Sequence, residues 1–227
     1  MEMKNSHNYP LSIITIVLND IEGFKKTLNS IKNQDRSLFE YIVIDGGSTD
    51  GTLGVIESNR DIINRYVSEP DQGIYDAYNK GAKLAEGASL LYMNAGDYFV
   101  GKVIYESMFS CPILLPVKYV NRFERLVNYR QRHYRYSHPY NLQGIIFENK
   151  DIRFNTEYKI ASDYDYYLQH GYGNLDITKT EGYVLYDNNG ISTIRYQQKY
   201  AECGQIVFDN FGWFNYFTYL ARTKIKH

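Results

Sequence analysis

Apolar and polar positions change period several times along the amino-terminal half of the chain. Short, mostly apolar runs at residues 11–18, 41–44, 62–67 and 89–93 predict strands. Residues 21–32 and 74–84 carry apolar residues at helical spacing and predict helices, and we expect a further helix at residues 50–58. This alternation indicates βαβ units and a parallel sheet with helices on both faces.

The second half has a different pattern. Residues 113–120, 123–129, 144–147 and 183–186 predict strands, residues 163–169 predict a helix, and a helical, aromatic tail is expected from about residue 192. This order indicates an α+β continuation and not more βαβ units. The chain has no evident linker or internal repeat. We therefore expect one domain over residues 1–227, with halves at about 10–100 and 101–195 and a tail at about 196–227.

Three polar clusters directly follow predicted strands. They are residues 19–20, 45–50 and 94–97. Ligands of open parallel sheets bind outside the carboxyl ends of the strands. We therefore expect the three clusters to line one edge of the sheet and to form one ligand site.

Composition narrows the classes of function. Hydrophobic residues make up 44% of the chain, enough for a sizeable core, and a net charge of -1 gives no field that would attract nucleic acid. The 24 tyrosines suit a wet surface that binds sugars, and compositional drift explains them equally well.

The cysteines and the start of the chain bear on the compartment. Cys111 and Cys203 make no metal-ligand spacing with histidines, which favours a reducing compartment. The start of the chain lacks the layout of a signal peptide, and the run at 11–18 is shorter than the about 20 residues that a membrane span needs. We expect a cytoplasmic protein that is soluble or held peripherally on the inner face of the cytoplasmic membrane.

The turn at residues 45–52 (DGGSTDGT) is the first candidate for chemistry. Asp45 ends a strand, so its carboxylate can accept a hydrogen bond from a base N–H or a ribose hydroxyl, and glycines let a ligand approach the backbone. An ordinary capped connection between strand and helix is the alternative. The chain has no G-x-G-x-x-G motif after its first strand and no P-loop motif, which disfavours dinucleotide dehydrogenases and P-loop enzymes.

Residues 94–97 (NAGD) end another strand at the same edge. The Asp97 carboxylate can hold a divalent cation together with diphosphate oxygens and water. Such a cation would stabilise the charge of a departing nucleoside diphosphate. A plain β-turn is the alternative interpretation of these four residues.

Seven segments in order resemble the family 2 glycosyltransferases with the GT-A fold, especially bacterial enzymes that build O-antigen, capsule or exopolysaccharide. They are 12–20 (SIITIVLND), 45–52 (DGGSTDGT), 69–81 (EPDQGIYDAYNKG), 93–97 (MNAGD), 138–144 (HPYNLQG), 160–168 (IASDYDYYL) and 189–192 (NGIS). The resemblance implies a GT-A-like (Rossmann-like) α/β fold whose first half binds a nucleotide sugar, expected to be a UDP-sugar. It also implies that the second half binds a saccharide acceptor, expected to be lipid-linked.

Residue roles on the donor side follow from the resemblance. It implies that Asn19 and Asp45 contact the base and ribose, and that Asp97 binds Mg²⁺ or Mn²⁺. Many members have two adjacent acids where this chain has Gly96 and Asp97. The other residues expected to bind the nucleotide sugar are Thr15, Val17, Ser48, Asp76, Asn79, Lys80 and Asn94.

The resemblance also implies that Asp163 is the catalytic base of an inverting transfer and takes the proton of the acceptor hydroxyl. Alternatively, Ser162 and Asp165 form a capping box, and Asp163 is only a first-turn acid. His138 and Gln143 are expected on the acceptor side, as hydrogen-bond partners of the sugar.

The tail carries an apolar stripe at helical spacing that a basic segment follows. The stripe and the segment consist of Trp213, Tyr216, Phe217, Leu220, Arg222, Lys224, Lys226 and His227. This pattern is typical of an interfacial helix on anionic lipid, and a helix packed on the domain is the alternative.

Two other classes of function stay open. A non-catalytic nucleotide-sugar-binding subunit is favoured by the single acid at Asp97. Another nucleotide-dependent transferase, such as a nucleotidyltransferase, would be expected to carry a Gly- and Arg-rich loop after the first strand, where this chain has Asn19 and Asp20.

Overall fold

The computed structural model describes residues 9–108, 111–120, 125–128, 133–135, 140–186 and 195–224. In the amino-terminal half, strands and helices alternate in the predicted order. The elements are β1 (Tyr9–Val17), α1 (Ile21–Lys32), β2 (Phe39–Asp45), α2 (Thr52–Glu57), β3 (Arg65–Ser68), α3 (Ile74–Leu84) and β4 (Gly87–Asn94). β3 begins later than predicted because the N–H groups of Ile62 and Ile63 both turn back to donate to the Asn59 carbonyl.

The second half adds shorter strands and two helices. They are β5 (Tyr98–Val100), β6 (Ile113–Leu114), β7 (Val117–Val120), β8 (Leu126–Asn128), β9 (Ile145–Glu148), α4 (Ser162–Gln169), β10 (Tyr183–Tyr186) and α5 (Tyr196–Lys224). The single strand predicted at 113–120 was wrong, because β6 and β7 lie in different sheets. Pro116 lies between them and has no N–H to contribute to a ladder. β5 was not predicted from the sequence.

The main sheet has the strand order β3-β2-β1-β4-β9-β6. β1 pairs in parallel with β2 and β4, and β3 pairs in parallel with β2. β9 and β6 extend the sheet in antiparallel pairing, and a second sheet has the order β5-β10-β7-β8. The predicted α/β fold with a mostly parallel central sheet is confirmed. That the chain is a single domain stays a prediction.

Helix α3 lies directly on the central strands. Its buried residues include Tyr75, Ala77 and Tyr78. At Gly81 an added methyl group would lie 2.3 Å from Ile14 Cγ2, so glycine lets the helix approach β1 closely. Because α3 follows the carboxyl end of β3, its first turns bring both tyrosines to that edge of the sheet.

Helix α5 is two helical segments that meet at Gly212, where φ is 73°. The second segment folds back on the first, since the Tyr219 hydroxyl donates to the Tyr200 carbonyl at 2.6 Å. The predicted stripe is therefore split between two faces. Tyr216 and Leu220 are partly buried, whereas Trp213, Phe214 and Phe217 are 62%, 79% and 61% exposed. None of the helices in the described ranges combines enough length with enough apolar character to cross a bilayer.

Candidate active site

Three strands end level with one another at one edge of the main sheet. In the register of the sheet, Val17 of β1 lies opposite Asp45 of β2, and Ile16 lies opposite Asn94 of β4. The loops leave in parallel, because the Gly46 N–H donates to the Val17 carbonyl and the Ala95 N–H donates to the Ile16 carbonyl, both at 2.9 Å. The sequence prediction that the polar clusters share one edge is therefore correct, and we call this edge the rim.

Asp45 lies at the end of β2 and fixes the loop that leaves the rim there. The residue is fully buried, and its carboxylate accepts hydrogen bonds from the Ser68 hydroxyl at 2.5 Å and from the Ser48 N–H at 3.1 and 3.2 Å. A buried carboxylate needs such donors, since an unpaired charge is costly away from water. Asp45 thus holds the start of the 45–52 loop in place, next to β3.

Asn19 ties the first loop of the rim to the second. The Asn19 N–H donates to Ser48 Oγ, and the Thr49 N–H donates to Asn19 Oδ1, both at 2.8 Å. Asn19 has a φ of 50°, in the left-handed region that asparagine tolerates better than most residues. Asn19 and Ser48, two of the predicted donor contacts, therefore form one exposed connection between loops.

Other predicted donor contacts have partners within the protein. Lys80 Nζ lies 2.6 Å from Asp71, 2.9 Å from Glu69 and 3.5 Å from Asp76. Burial lowers the pKa of Lys80, but its hydrogen bonds to Asp71 and Glu69 outweigh burial and raise it. Lys80 and Asp76 thus hold the loop at residues 69–73 against α3.

The side chain of Asn79 is bound within the protein, and those of Thr15 and Val17 are buried. The Asn79 amide donates to the Phe154 carbonyl and accepts from the Phe154 N–H, both at 2.9 Å, so both ends of the amide are engaged. Thr15 is fully buried within β1, and Val17 is 5% exposed. The roles predicted for these three residues in donor binding stay predictions that the geometry does not support through their side chains.

The Tyr78 hydroxyl lies at the part of the rim where β4 ends. It donates to Asn94 Oδ1 at 2.7 Å, and the side chain is 1% exposed. Burial raises the pKa of Tyr78 well above its ordinary value, and the negative charges of Asp97 and Asp163 raise it further, while a hydrogen bond with Gln143 opposes them. Tyr78 therefore stays protonated and donates to Asn94, one of the predicted site residues.

Asp97 closes the turn at the end of β4. Its Oδ2 accepts from the Asn94 N–H at 3.0 Å, and its N–H donates to the Asn94 carbonyl at 3.1 Å. The Thr27 hydroxyl of α1 donates to the Asp97 carbonyl at 2.6 Å and accepts from the Gly96 N–H at 3.1 Å. The turn is thus fixed from both sides, with the carboxylate 1% exposed.

Asp163 lies in the first turn of α4, across from α3. Its Oδ1 accepts from the Tyr164 N–H at 3.0 Å and from the Tyr75 hydroxyl at 3.3 Å. Burial raises the pKa of Tyr75 well above its ordinary value, and the Asp163 charge adds to this, so Tyr75 acts as a donor. The structure therefore orients the Asp163 carboxylate from two elements.

The capping-box interpretation of this segment was wrong. The N-cap of α4 is Ala161, which makes no side-chain cap. Ser162 lies inside the helix, and its buried hydroxyl has no hydrogen-bond partner within the described residues. His138 and residues 189–192, also part of the resemblance, lie outside the described residues.

Residues 12–110, which run from β1 past β5, match the family model for glycosyl transferase family 2. The matched stretch is a little under half of the chain. The resemblance inferred from the rim segments is confirmed.

One curated relative shows how far the similarity in sequence extends. A PGL/p-HBAD biosynthesis glycosyltransferase of Mycobacterium bovis is 41% identical over 92 residues, which are 38% of this chain and 35% of that protein. The match thus spans about a third of the length of the curated relative.

The solved structures extend the likeness in fold beyond the family 2 segment. S. aureus TarS 1-349 in complex with UDP has a TM-score of 0.67 at 21% identity, covering 87% of this chain and 64% of that one. The mannosyltransferase PcManGT from Pyrobaculum calidifontis in complex with GDP-Man and Mn²⁺ has a TM-score of 0.61 at 16% identity, covering 96% and 76%. The fold is of the GT-A type.

A metal site at the rim would rest on a single acid. In the part of the chain that the structure describes, no group of three His, Cys, Asp or Glu side chains could hold a metal ion by itself. Mg²⁺ is, however, commonly bound through one or two carboxylates plus substrate phosphates and water. Asp97 Oδ2 already accepts from the Asn94 N–H, and the binding of a cation by Asp97 stays a prediction.

Sequence reasoning missed Tyr75 and Tyr78 as site residues of the family 2 segment. The helical spacing of residues 74–84 indicated an apolar face, and the structure does bury both side chains. The overlooked signal was the spacing of three residues between two tyrosines at the start of a helix that follows the rim. Such side chains can bury their rings and still carry hydroxyl groups to a polar site.

Proposed function

We propose that this protein is an inverting glycosyltransferase that transfers a sugar from a UDP-linked donor to an acceptor hydroxyl. The observation that carries the proposal is a chain of contacts along α3: Tyr78 donates to Asn94, which also contacts Asp97, and Tyr75 donates to Asp163. A nucleotide donor is supported by the solved relatives in fold, one in complex with UDP and one with GDP-Man and Mn²⁺.

The donor would lie across the rim with its nucleoside end at β1 and β2. There the linked loops of Asn19 and Ser48 present exposed polar groups beside the buried Asp45. At Gly46 an added methyl group would lie 3.0 Å from Asp71 Oδ2, so glycine lets the Asp71 carboxylate approach the backbone at this end of β2. The diphosphate would then face the turn of Asp97 at the end of β4.

The chemical step needs one base on the acceptor side. In a displacement with inversion, the acceptor oxygen attacks the anomeric carbon from the side opposite the nucleotide and loses its proton. Asp163 is an acid at the rim whose carboxylate two donors orient, one from α3 and one from its own helix. Gln143 is proposed to bind an acceptor hydroxyl through its amide.

The departing nucleoside diphosphate gains negative charge as the bond to the sugar breaks. A Mg²⁺ or Mn²⁺ ion bound through Asp97 and the diphosphate would stabilise that charge. The buried turn of Asn94 and Asp97 holds the carboxylate in one orientation, which reduces reorganisation during the step.

The acceptor is proposed to be a lipid-linked saccharide of a bacterial surface polysaccharide, and the tail is proposed to touch the membrane that holds it. Trp213, Phe214 and Phe217 form an exposed aromatic cluster, and the sequence continues with Arg222, Lys224 and Lys226. Exposed aromatic side chains beside basic residues fit an anionic bilayer surface. The cytoplasmic location stays a prediction.

Replacement of Asp163 by asparagine tests the base. The amide keeps the shape and the contact with Tyr75 but cannot take a proton, so we expect turnover to fall by about 10²- to 10⁴-fold with donor affinity unchanged. Release of UDP from a panel of UDP-sugars, with acceptor present, measures the rate.

The matched control is Asp165→Asn, the same change two residues along α4, where the carboxylate accepts from Gln169 at 2.7 Å. It should retain near-wild-type turnover. Wild-type rates in Asp163→Asn would exclude Asp163 as the base. An absence of UDP release by the wild type, with tight UDP binding, would support a binding subunit instead.

Replacement of Asp97 tests the metal site. We expect Mn²⁺ to strengthen UDP binding to the wild type at least 10-fold and to have no such effect on Asp97→Ala, because the carboxylate is lost. Calorimetric titration of UDP with and without Mn²⁺ measures this difference. Asp97→Asn should keep the hydrogen bond from the Asn94 N–H and the fold, yet behave like the alanine variant. Equal Mn²⁺ dependence in wild type and variants would contradict the assignment.

The membrane contact is tested by flotation with vesicles of phosphatidylglycerol and phosphatidylcholine. We expect the wild type to float with them at low salt and Phe214→Ser/Phe217→Ser to remain at the bottom of the gradient. Leu126→Ser, at a residue that is 49% exposed in β8, is the control for general surface hydrophobicity and should float like the wild type. Flotation of the double variant with wild-type efficiency would refute the contact.

A further inference from the structure

Glu202, in the first segment of α5, binds the stretch of backbone that leads into α4. Its Oε1 accepts from the Lys159 N–H at 3.0 Å, and its Oε2 accepts from the Ile160 N–H at 2.8 Å and from the Ala161 N–H at 2.9 Å. Gln198, one turn earlier in α5, donates to Oε1 at 2.9 Å. One carboxylate thus binds three successive backbone N–H groups, an arrangement that suits an anion.

These three N–H groups lie directly before α4. The last of them belongs to Ala161, the N-cap, and Asp163 is two residues further on. Neither Ala161 nor Ser162 provides a side-chain cap within the described residues. The carboxylate of Glu202 therefore holds, from another helix, the backbone from which α4 starts. Its bond to the Ala161 N–H is of the kind that a side chain at the third helical position makes to the N-cap N–H in a capping box.

Apolar packing fixes α5 against the same turn of α4. Ala161 and Tyr164 are buried together with Cys203, Ile206 and Val207 in one cluster. Tyr164 is the residue after Asp163, and its N–H donates to Asp163 Oδ1. A shift of residues 159–161 would therefore move both Asp163 and the donor that orients it.

We propose that Glu202 is a positioning residue for Asp163, an inference that rests on the proposed glycosyl transfer. Through the backbone of residues 159–161, it holds the first turn of α4 so that the Asp163 carboxylate meets the Tyr75 hydroxyl of α3. A base must lie within hydrogen-bond reach of the proton it takes, and a displacement of about 1 Å can lower a rate by about 100-fold. The tail, which lies outside the family 2 segment, thereby becomes part of the catalytic arrangement.

The proposal predicts a graded effect on turnover in the full-length protein. Glu202→Ala removes all three contacts, and we expect kcat to fall by about 10- to 100-fold with the KM for the UDP-sugar unchanged, because the donor half of the rim is untouched. Glu202→Gln keeps one acceptor oxygen for Ile160 and Ala161, so its kcat should lie between those of the wild type and the alanine variant.

Asp209→Asn is the matched control. It makes the same carboxylate-to-amide change on the same segment of α5, where Asp209 accepts from Gln205 at 2.8 Å in an exposed position. It should keep wild-type kcat. A wild-type kcat in Glu202→Ala would overturn the proposal. A fall in kcat together with a rise in the KM for the donor, both of which disappear at lower temperature, would also overturn it, because they would indicate general destabilisation.

Amide hydrogen exchange separates this inference from the proposed function, because it needs no turnover. In Glu202→Ala, peptides that span residues 157–165 should exchange faster, whereas peptides from α3 should exchange as in the wild type. Unchanged exchange at residues 157–165 would refute the proposal that Glu202 holds residues 159–161, whatever the rate of turnover. Faster exchange in a protein whose wild type releases no UDP would refute the function, and the positioning of a base with it, while retaining the contact itself.

Discussion

The parallel pairing of β1 with β2 on one side and β4 on the other is the constraint on which the site depends. Because Val17 pairs with Asp45 and Ile16 pairs with Asn94, three loops leave the sheet at the same level. A shift of one residue in either register would turn the side chains of that strand to the opposite face. Buried polar contacts oppose such a shift, because the Ser12 hydroxyl of β1 donates to Glu40 of β2 at 2.6 Å and accepts from the Gly87 N–H of β4 at 2.9 Å.

Helix α3 connects this rim to the second half of the chain. Gly81 lets α3 lie close to β1, and the hydroxyls of Tyr75 and Tyr78 then reach Asp163 and Asn94. The segment that matches family 2 thus provides the loops of the rim and the two tyrosines, while α4 provides Asp163. Glu202 and the packing of α5 hold that acid from the far side. The site is assembled from three parts of the chain, and each part contributes contacts that the other two lack.

The sequence predicts those features that depend on local periodicity. The bounds of α1 and α3 follow from the spacing of apolar residues, and the shared edge follows from where polar clusters end strands. Features set by distant contacts could not be obtained in this way. Ser162 followed by Asp165 has the pattern of a capping box, yet Ser162 is already the first residue of the helix and Ala161 is its N-cap. The N–H of that N-cap is bound by Glu202, about forty residues later in the chain. The division of residues 113–120 between two sheets depends on pairing with β9 and β10, which no local pattern encodes.

A structure of the protein with UDP and Mn²⁺ bound tests the central claim, the convergence of donor and base at one rim, most directly. The account predicts the uridine beside the loops of Asn19 and Ser48 and the ion about 2.0–2.2 Å from an Asp97 oxygen. It also predicts that the β-phosphate, to which the sugar of a donor is attached, faces Asp163. UDP on another surface, or bound at the rim with Asp97 and Asp163 both turned away from the diphosphate, would contradict it.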